Sequence, residues 1–246
     1  MRAIPVIADT LHREFLQRNN EPLVAVRQAS FRVHAGEVFG LLGPNGAGKS
    51  TTLRMISALL RPTSGTASIC GFDVQEEPRK ARSKLGYLSA SSGLPGLLTC
   101  REVLRTFAVL HRCDDVSRAT EEALVRFGIR RYADRFVQGL STGMRQRLRI
   151  ACAAVHRPPV LILDEPTLGL DVVAADSLLA DIETLRDDGV AIIFSTHVLL
   201  EAQRVCDRIG VIYDGAILAV DSPSSLVELT GARDLREAFL TILSRQ

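Results

Sequence analysis

The sequence contains few cysteines, and they are scattered. The five cysteines form no C-x-x-C pair, and no histidines cluster near them. This spacing argues against a disulfide-stabilised secreted domain and against a cysteine–histidine metal site. We therefore expect reduced thiols in a cytosolic protein, at Cys70, Cys100, Cys113, Cys152 and Cys206.

Long apolar runs, repeats and strong net charge are also missing. No stretch approaches the roughly 20 apolar residues of a membrane helix, and residues 1–5 do not begin a signal peptide. We find no internal repeat and no low-complexity segment. The formal net charge of +2 is too small to predict nucleic acid as a partner.

What remains is an ordinary globular composition. The chain has 246 residues, of which 46% are hydrophobic and 24% charged, as in soluble domains. This length can bury one substantial core without disulfide support. We therefore expect one compact domain over residues 1–246.

A glycine-rich segment, residues 43–51, lies between an apolar run at 38–42 and a helical run at 52–60. Its spacing matches a P-loop, in which backbone N–H groups and a helix N-terminus surround a polyphosphate while a lysine reaches the outer phosphates. Chance would produce the pattern in such a chain on the order of once in a hundred tries, and the flanking strand and helix disfavour chance further. The segment therefore predicts nucleotide binding by Asn45, Gly46, Ala47, Gly48, Lys49, Ser50 and Thr51.

Hydrophobic patterns predict strands on both sides of this loop. Residues 28–33 alternate apolar and polar side chains, as in a strand with one buried face. Residues 38–42 are almost continuously apolar, as in a parallel sheet covered on both faces. The predicted strands are 28–33, 38–42, 67–70, 85–88, 160–164, 190–194, 209–213 and 216–220, the last two joined by a turn at Asp214-Gly215.

A block of helical pattern interrupts the alternation of strands and helices. It runs from residue 101 to about 135, with breaks near Asp114 and Gly128, and follows an exposed loop at 89–99. We interpret it as an inserted subdomain. Short helices are also predicted from Pro223 and from Asp234 to Leu243.

Ser141 precedes another helix and is predicted to cap it. The helix start offers free N–H groups and the positive end of the dipole. Arg145, Arg147 and Arg149 lie off its apolar stripe, and a solvated face is a simpler interpretation for them than an anion site. The stripe itself is Met144, Leu148, Ala151, Cys152 and Val155.

Polar side chains follow two of the predicted buried strands. Asp164 and Glu165 end one strand, and Ser195, Thr196 and His197 end the next. Ligands of open α/β sheets bind at the carboxyl ends of the strands, so both groups are expected beside the P-loop. Solvation of a strand end is the alternative for the acidic pair, but its convergence with a P-loop favours function.

The motifs occur in an order that resembles the nucleotide-binding subunits of ABC transporters. After the P-loop come Leu-Ser-Thr-Gly-Met-Arg-Gln-Arg from Leu140, Ile-Leu-Asp-Glu-Pro-Thr from Ile162, and Ser-Thr-His from Ser195. The signature from Ser141 is the most specific of these. The signature and the C-terminal residues 234–240 look most like ATPase subunits of ABC-2-type exporters, which include sodium and drug efflux members.

The resemblance implies an α/β P-loop NTPase fold. It comprises a RecA-like core sheet, an N-terminal antiparallel β region and an inserted α-helical subdomain. The implied divisions are an ATP-binding core at about 1–86 and 152–226, a helical subdomain at about 87–151 and a C-terminal helix at about 227–246.

The resemblance also implies a Mg²⁺-dependent ATPase. Lys49 and the backbone of residues 46–51 would hold the β- and γ-phosphates, while Ser50 and Asp164 would hold Mg²⁺. Glu165 would polarise the attacking water, and His197 would contact the γ-phosphate. Phe15 lies where the family has an aromatic ring against adenine, although by itself it would be interpreted as ordinary packing.

Other implied roles require partners. Ser141, Thr142 and Gly143 would act on ATP held by a second subunit. The family's pattern implies a homodimer, with Asp171 where the two subunits meet. A separate membrane permease would select the substrate. The chain would thus be cytoplasmic and peripheral on the inner face of the cell membrane.

The sequence departs from the family after the strand at 85–88. The family usually has a glutamine there, whereas this chain has none between Gln75 and Gln138, and Ala90 is the aligned position. A nearby serine or a bound water could take the place of this glutamine, or the coupling between the helical subdomain and the ATP site could be weaker. The sequence leaves both alternatives open. Thr142 for glycine and Met144 for glutamine are milder changes.

Two alternatives remain open. A non-transport ABC ATPase would act on the ribosome or DNA, but such proteins usually carry two domains or long coiled coils. A regulatory domain would bind ATP with little hydrolysis, and only the missing glutamine supports it.

Overall fold

The computed structural model describes residues 3–17, 20–90 and 93–245. The strands are β1 (Val6–Leu16), β2 (Pro22–Val33), β3 (Val38–Leu42), β4 (Ser64–Ile69), β5 (Phe72–Asp73), β6 (Leu85–Leu88), β7 (Val160–Asp164), β8 (Ala191–Thr196), β9 (Arg208–Tyr213) and β10 (Ala216–Asp221). The helices are α1 (Lys49–Ile56), α2 (Pro78–Ser83), α3 (Cys100–Leu110), α4 (Val116–Arg126), α5 (Thr142–Ala154), α6 (Val172–Asp187), α7 (Leu199–Val205), α8 (Pro223–Thr230) and α9 (Leu235–Ser244).

The strands form one mixed sheet in the order β5-β4-β1-β2-β10-β9-β3-β8-β7-β6. The half formed by β9, β3, β8, β7 and β6 is parallel. β1, β2, β4 and β5 are antiparallel to one another. The predicted α/β fold with an N-terminal antiparallel region is confirmed.

The apolar run of β3 is buried on both faces of the sheet, as predicted from its composition. All five of its residues are buried. Val38 and Leu42 join the core cluster that contains α3 to α6, whereas Phe39 and Leu41 join the cluster that contains α1. Alternate side chains of a strand point to opposite faces, so one short run anchors two layers of helices.

The helical block contains the predicted helices α3 and α4. The breaks also occur where they were expected, because Asp115 caps α4 and Gly128 adopts a left-handed φ of +63° after it. α3, α4 and α5 pack into the same cluster as β7 and β8. The division into core and subdomain remains a prediction.

Two sequence-based expectations need correction. α1 begins at Lys49 and ends at Ile56, whereas the helical run was predicted at 52–60; Ser57 caps it and Ala58 turns to a φ of +55°. A left-handed residue cannot continue a helix.

The other correction concerns the arginines of α5. Only Arg145 is exposed, as the interpretation of a solvated face required, whereas Arg147 and Arg149 are half-buried. Arg147 pairs with Asp181 of α6 at 3.0 Å. Long side chains find polar partners on neighbouring segments that periodicity cannot identify.

All five cysteines are free thiols, as expected. Within the described ranges, no helix has the length and apolar character needed to cross a lipid bilayer.

His156 fastens the end of α5 to the sheet. Its Nε2 lies 3.2 Å from the carbonyl oxygen of Leu85 in β6, and its ring stacks on His111 at 3.7 Å between centroids. Burial, and then the nearby charge of His111, lowers the pKa of His156 to about 4. The folded chain therefore holds this imidazole neutral.

We expect the melting temperature to fall as the pH is lowered from about 6.5 towards 4. The unfolded chain protonates its histidine near the ordinary pKa of about 6.5, so below it the unfolded state binds more protons than the folded state. Stability is therefore greatest above this window and declines as the pH falls through it. Thermal unfolding of the parent and of His156→Gln at pH 7 and pH 5 checks this. An equal drop in both proteins would contradict the assignment to His156.

Candidate functional site

The P-loop joins β3 to α1, and its glycines are needed for close packing. A Cβ built at Gly43 would lie 2.2 Å from the carbonyl oxygen of Ile212 in β9. One at Gly48, whose φ is +99°, would lie 2.6 Å from the carbonyl oxygen of Ala25 in β2. Only Gly46 has open space around it, with a φ of +82°. The loop is thus pressed against two strands at Gly43 and Gly48, whereas its backbone is open at Gly46.

A cavity of about 210 Å³ opens over this loop. It is smaller than the roughly 300–1,000 Å³ typical of sites that enclose a small molecule. Its size suits a phosphate chain at the N-terminus of α1, where the helix dipole favours an anion. The lining residues are Ala25, Asn45, Gly46, Gly48, Lys49, Ser50, Thr51 and Glu165.

Lys49 is almost wholly buried, with 6% of its surface exposed. Its Nζ donates to the carbonyl oxygens of Gly43 at 2.7 Å and Pro44 at 3.1 Å. The same atom lies 3.2 Å from Oε1 of Glu165. A buried cation is thus held at the mouth of the loop with one carboxylate as its counter-ion.

The predicted convergence of strand ends is confirmed, because β3, β8 and β7 are neighbours in the sheet. Asp164 of β7 lies opposite Ser195 of β8, and its Oδ1 accepts a hydrogen bond of 2.7 Å from the Ser195 hydroxyl. The same hydroxyl accepts a bond of 3.0 Å from the backbone N–H of Glu165. Ser195, which was expected only as a strand end, therefore orders both acidic residues.

The two adjacent carboxylates point in different directions for a backbone reason. Asp164 is in the strand and 1% exposed. Glu165 has a φ of +49°, an uncommon left-handed conformation for a residue with a side chain. The turn directs its carboxylate to Lys49 and to His197, whose Nδ1 lies 2.9 Å from Oε2 of Glu165.

Phe15 lies on β1, opposite Leu23 of β2. The guanidinium of Arg13 covers its ring at 4.6 Å from the centroid. Phe15 is not among the described residues that line the P-loop cavity. Its contact with adenine remains a prediction, and stacking on that face would require Arg13 to move.

The signature residues lie at the N-terminus of α5. The hydroxyl of Ser141 accepts a bond of 3.3 Å from the backbone N–H of Met144, so the predicted cap is confirmed. Ser141 and Thr142 are exposed, and Gly143 packs against Ala174 of α6. Among the described residues, none of the three lines the P-loop cavity of its own chain.

Asp171 caps α6, since its Oδ1 accepts a bond of 2.8 Å from the N–H of Ala174. Apolar side chains beside it are exposed to solvent. They are Leu168, Val172 and Val173, exposed by 60%, 86% and 79%.

Sequence reasoning missed the support beneath the P-loop. The turn between β9 and β10 donates from the N–H of Gly215 to the carbonyl oxygen of Ala47, at 3.1 Å. Arg27 of β2 clamps this turn, with its backbone N–H 2.7 Å from the Gly215 oxygen and its guanidinium paired with Asp214 at 2.7 Å. The Asp-Gly pair predicted a turn, but no local pattern indicated what the turn would contact.

The residues present fit Mg²⁺ brought by a nucleotide. Ser50 and Asp164 offer a hydroxyl and a carboxylate, and Mg²⁺ prefers oxygen ligands, commonly one or two protein groups with phosphates and water. In the described part of the chain, no group of three or more His, Cys, Asp and Glu side chains is arranged to hold a metal by itself.

Comparison with known proteins agrees with this geometry. The model of the ABC transporter family matches residues 26–168. The ABC transporter ATP-binding protein NatA of Bacillus subtilis (strain 168) is 36% identical over 232 residues, which cover 93% of this chain and 94% of NatA. The Nod factor export ATP-binding protein I of Burkholderia orbicola (strain AU 1054) is 39% identical over 229 residues, covering 92% and 75%.

Solved structures show the same architecture. The ATP binding subunit of an ABC transporter superimposes with a TM-score of 0.85 at 30% identity, covering 98% of this chain and 100% of that one. The ATP-binding cassette MJ0796, in a dimeric post-hydrolysis state bound to ADP and Pi, superimposes with a TM-score of 0.79 at 25% identity, covering 88% and 98%. With the family model matching more than half of the chain and NatA similar over nearly its whole length, the chain belongs to the ATP-binding subunits of ABC transporters, which are ATPases.

Proposed function

We propose that two copies of this chain form a head-to-tail dimer around two molecules of Mg-ATP and that their hydrolysis drives a separate membrane permease. The observation that carries the proposal is the separation of the P-loop cavity from the signature residues. The cavity is lined by Lys49 and Glu165, while Ser141, Thr142 and Gly143 of the same chain lie elsewhere. A second subunit would bring its own signature residues to this cavity.

In this proposal the phosphates of ATP lie on the backbone of residues 46–51. Lys49 would contact the outer phosphates. Ser50 and Asp164 would hold Mg²⁺, which would supply positive charge to balance that of the phosphates. Asp164 is already aligned by the Ser195 hydroxyl at 2.7 Å. Adenine would lie outside the small cavity, towards Phe15 on β1.

Glu165 is proposed as the base that orients and polarises the attacking water. Its carboxylate lies between Lys49 and His197. Phosphate competes with it for Lys49, so ATP binding would release the carboxylate towards the water. His197 would then donate to the terminal phosphate and register its presence.

The exposed features suit a second copy of the chain. Ser141 and Thr142 at the start of α5 and the apolar side chains beside Asp171 are all exposed. The N–H groups and dipole at the start of α5 would face the terminal phosphate held by the partner. ATP would therefore favour the closed dimer more than ADP does, and hydrolysis would reopen it.

The proposed partner in the membrane is a permease, with an exporter favoured by the name of the Nod factor export relative. The chain would then lie on the cytoplasmic face of the membrane through that permease. The substrate would be selected by the permease.

Mixing two inactive variants tests the shared site. Lys49→Ala removes the lysine that contacts the phosphates in the P-loop. Ser141→Asp adds a negative charge at the signature but keeps a side chain that can cap α5. We expect little ATP turnover from either variant alone. The mixture should recover up to roughly a quarter of parental turnover, because random exchange in a two-fold dimer makes half of the dimers mixed, each with one intact site.

Ser141→Asn is the matched control, since it can also cap the helix but brings no charge. It should retain more activity than Ser141→Asp. A mixture no more active than the sum of its components would contradict the shared site.

A further inference from the structure

We propose that Arg149 and Gln146 of α5 form a hydrogen-bonded link that positions the loop of Glu165 for hydrolysis and ties it to the loop after β6. The inference rests on the proposed function, in that Glu165 is taken as the catalytic base. Arg149 and Gln146 are positioning residues, and neither lines the P-loop cavity among the described residues.

Gln146 connects α5 to the catalytic loop. It is 5% exposed, and its Nε2 donates to the carbonyl oxygen of Pro166, the residue that follows Glu165. Its Oε1 accepts a bond of 2.7 Å from Nη1 of Arg149. A guanidinium only donates and a carbonyl only accepts, so both partners require the same orientation of the amide.

Arg149 continues the link from Gln146 to the segment after β6. Its Nη2 donates to the carbonyl oxygen of Ser89 and to that of Ala90 at 3.3 Å. Its Nε is buried without a hydrogen-bond partner, and within the described part of the chain its guanidinium bonds to amide and backbone oxygens rather than to a carboxylate. Desolvation of the guanidinium lowers the pKa of Arg149. Desolvating a guanidinium without a counter-ion costs free energy, so packing alone does not explain the half-buried position of Arg149.

The neighbouring arginines do something different. Arg145 is exposed and donates to the carbonyl oxygen of Leu140 within its own segment, whereas Arg147 pairs with Asp181 of α6. Of the three, Arg149 is the one whose hydrogen bonds reach the described residues after β6, Ser89 and Ala90. Ala90 is the position where a glutamine was expected.

The position of α5 between the signature and the loop of Glu165 would allow the link to affect hydrolysis. The helix begins at the signature, so a shift of α5 when a partner's nucleotide engages Ser141 would be passed through Gln146 to Pro166. Pro166 adjoins Glu165, whose φ of +49° depends on its surroundings. The link would therefore change the position of the Glu165 carboxylate although neither Gln146 nor Arg149 contacts the nucleotide.

The test is a double-mutant cycle on ATP turnover by the full chain. Arg149→Leu and Gln146→Leu each remove one half of the link, and we expect kcat to fall about tenfold in each. The Kd for ATP and the KM should stay within about twofold of the parent, because the P-loop contacts remain. In the double variant kcat should fall no further than in either single variant, since both residues serve one link.

Arg79→Leu, at an exposed position of α2, is the matched control and should leave kcat unchanged. Arg149→Lys keeps a donor that can reach a carbonyl, and it should recover part of the lost turnover, which a general loss of stability would not allow. The proposal would be overturned if Arg149→Leu kept the parental kcat, or if the loss of turnover came with an equal rise in the Kd for ATP. It would also be overturned if the losses of the two single variants added in the double variant. Failure of the proposed function is recognised separately, by a parent chain without turnover or by mixed variants that do not complement.

Discussion

Glu165→Gln should abolish most ATP turnover while ATP remains bound. General-base catalysis contributes about 10²–10⁴-fold to rate, and an amide cannot accept the proton of the attacking water. The substitution also removes the carboxylate that lies 3.2 Å from Nζ of Lys49 and competes with phosphate. We therefore expect a kcat about 10²–10⁴-fold below that of the parent and an affinity for ATP equal to or higher than the parental value.

The same variant should accumulate as an ATP-bound dimer, because closure is proposed to end only when ATP is hydrolysed. Single-turnover kinetics measure the chemical step, equilibrium titration with a fluorescent nucleotide measures binding, and sedimentation in Mg-ATP measures the dimer. Glu228→Gln, an exposed change of the same type on α8, is the control and should match the parent in all three. Parental turnover in Glu165→Gln would refute the assignment of the base.

Lys49→Ala should weaken nucleotide binding itself. A hydrogen bond to a charged group contributes about 1.5–3 kcal/mol, and about 1.4 kcal/mol corresponds to a tenfold change in Kd. Loss of the contacts to two outer phosphates therefore predicts an ATP Kd about 100-fold higher. The carboxylate of Glu165 adds to this effect, since without its counter-ion at 3.2 Å it repels the phosphates.

Calorimetric titration with Mg-ATP and Mg-ADP measures the change. Lys80→Ala is the matched control, because Lys80 is exposed and pairs with Glu77 on the surface. Its Kd should equal that of the parent. If Lys49→Ala bound ATP as tightly as the parent, the assignment of nucleotide binding to the P-loop would be wrong. If it binds ATP more weakly, a melting temperature near the parental value excludes misfolding as the cause.

Local sequence determined the elements that carry the motifs. The apolar run at Val38–Leu42 indicated a strand buried on both faces, and the glycine spacing after it indicated a phosphate-binding loop, so both features were predictable from composition and spacing. The acidic pair at Asp164 and Glu165 followed in the same way from a buried strand that ends in charge. Such features depend on neighbouring residues, which the sequence displays directly.

Tertiary structure alone decided how these elements are supported and aimed. Gly43 and Gly48 are needed because strands distant in sequence, at Ile212 and Ala25, press against the P-loop. The separate directions of Asp164 and Glu165 depend on the hydroxyl of Ser195 and on a left-handed backbone. The arginines of α5 also show what local sequence cannot predict. A 3.6-residue period places Arg149 off the apolar stripe, but it cannot identify the carbonyl groups to which Arg149 donates. Periodicity determines which face of an element is buried, whereas the partner of a long polar side chain depends on which distant segments the fold brings within a few ångströms.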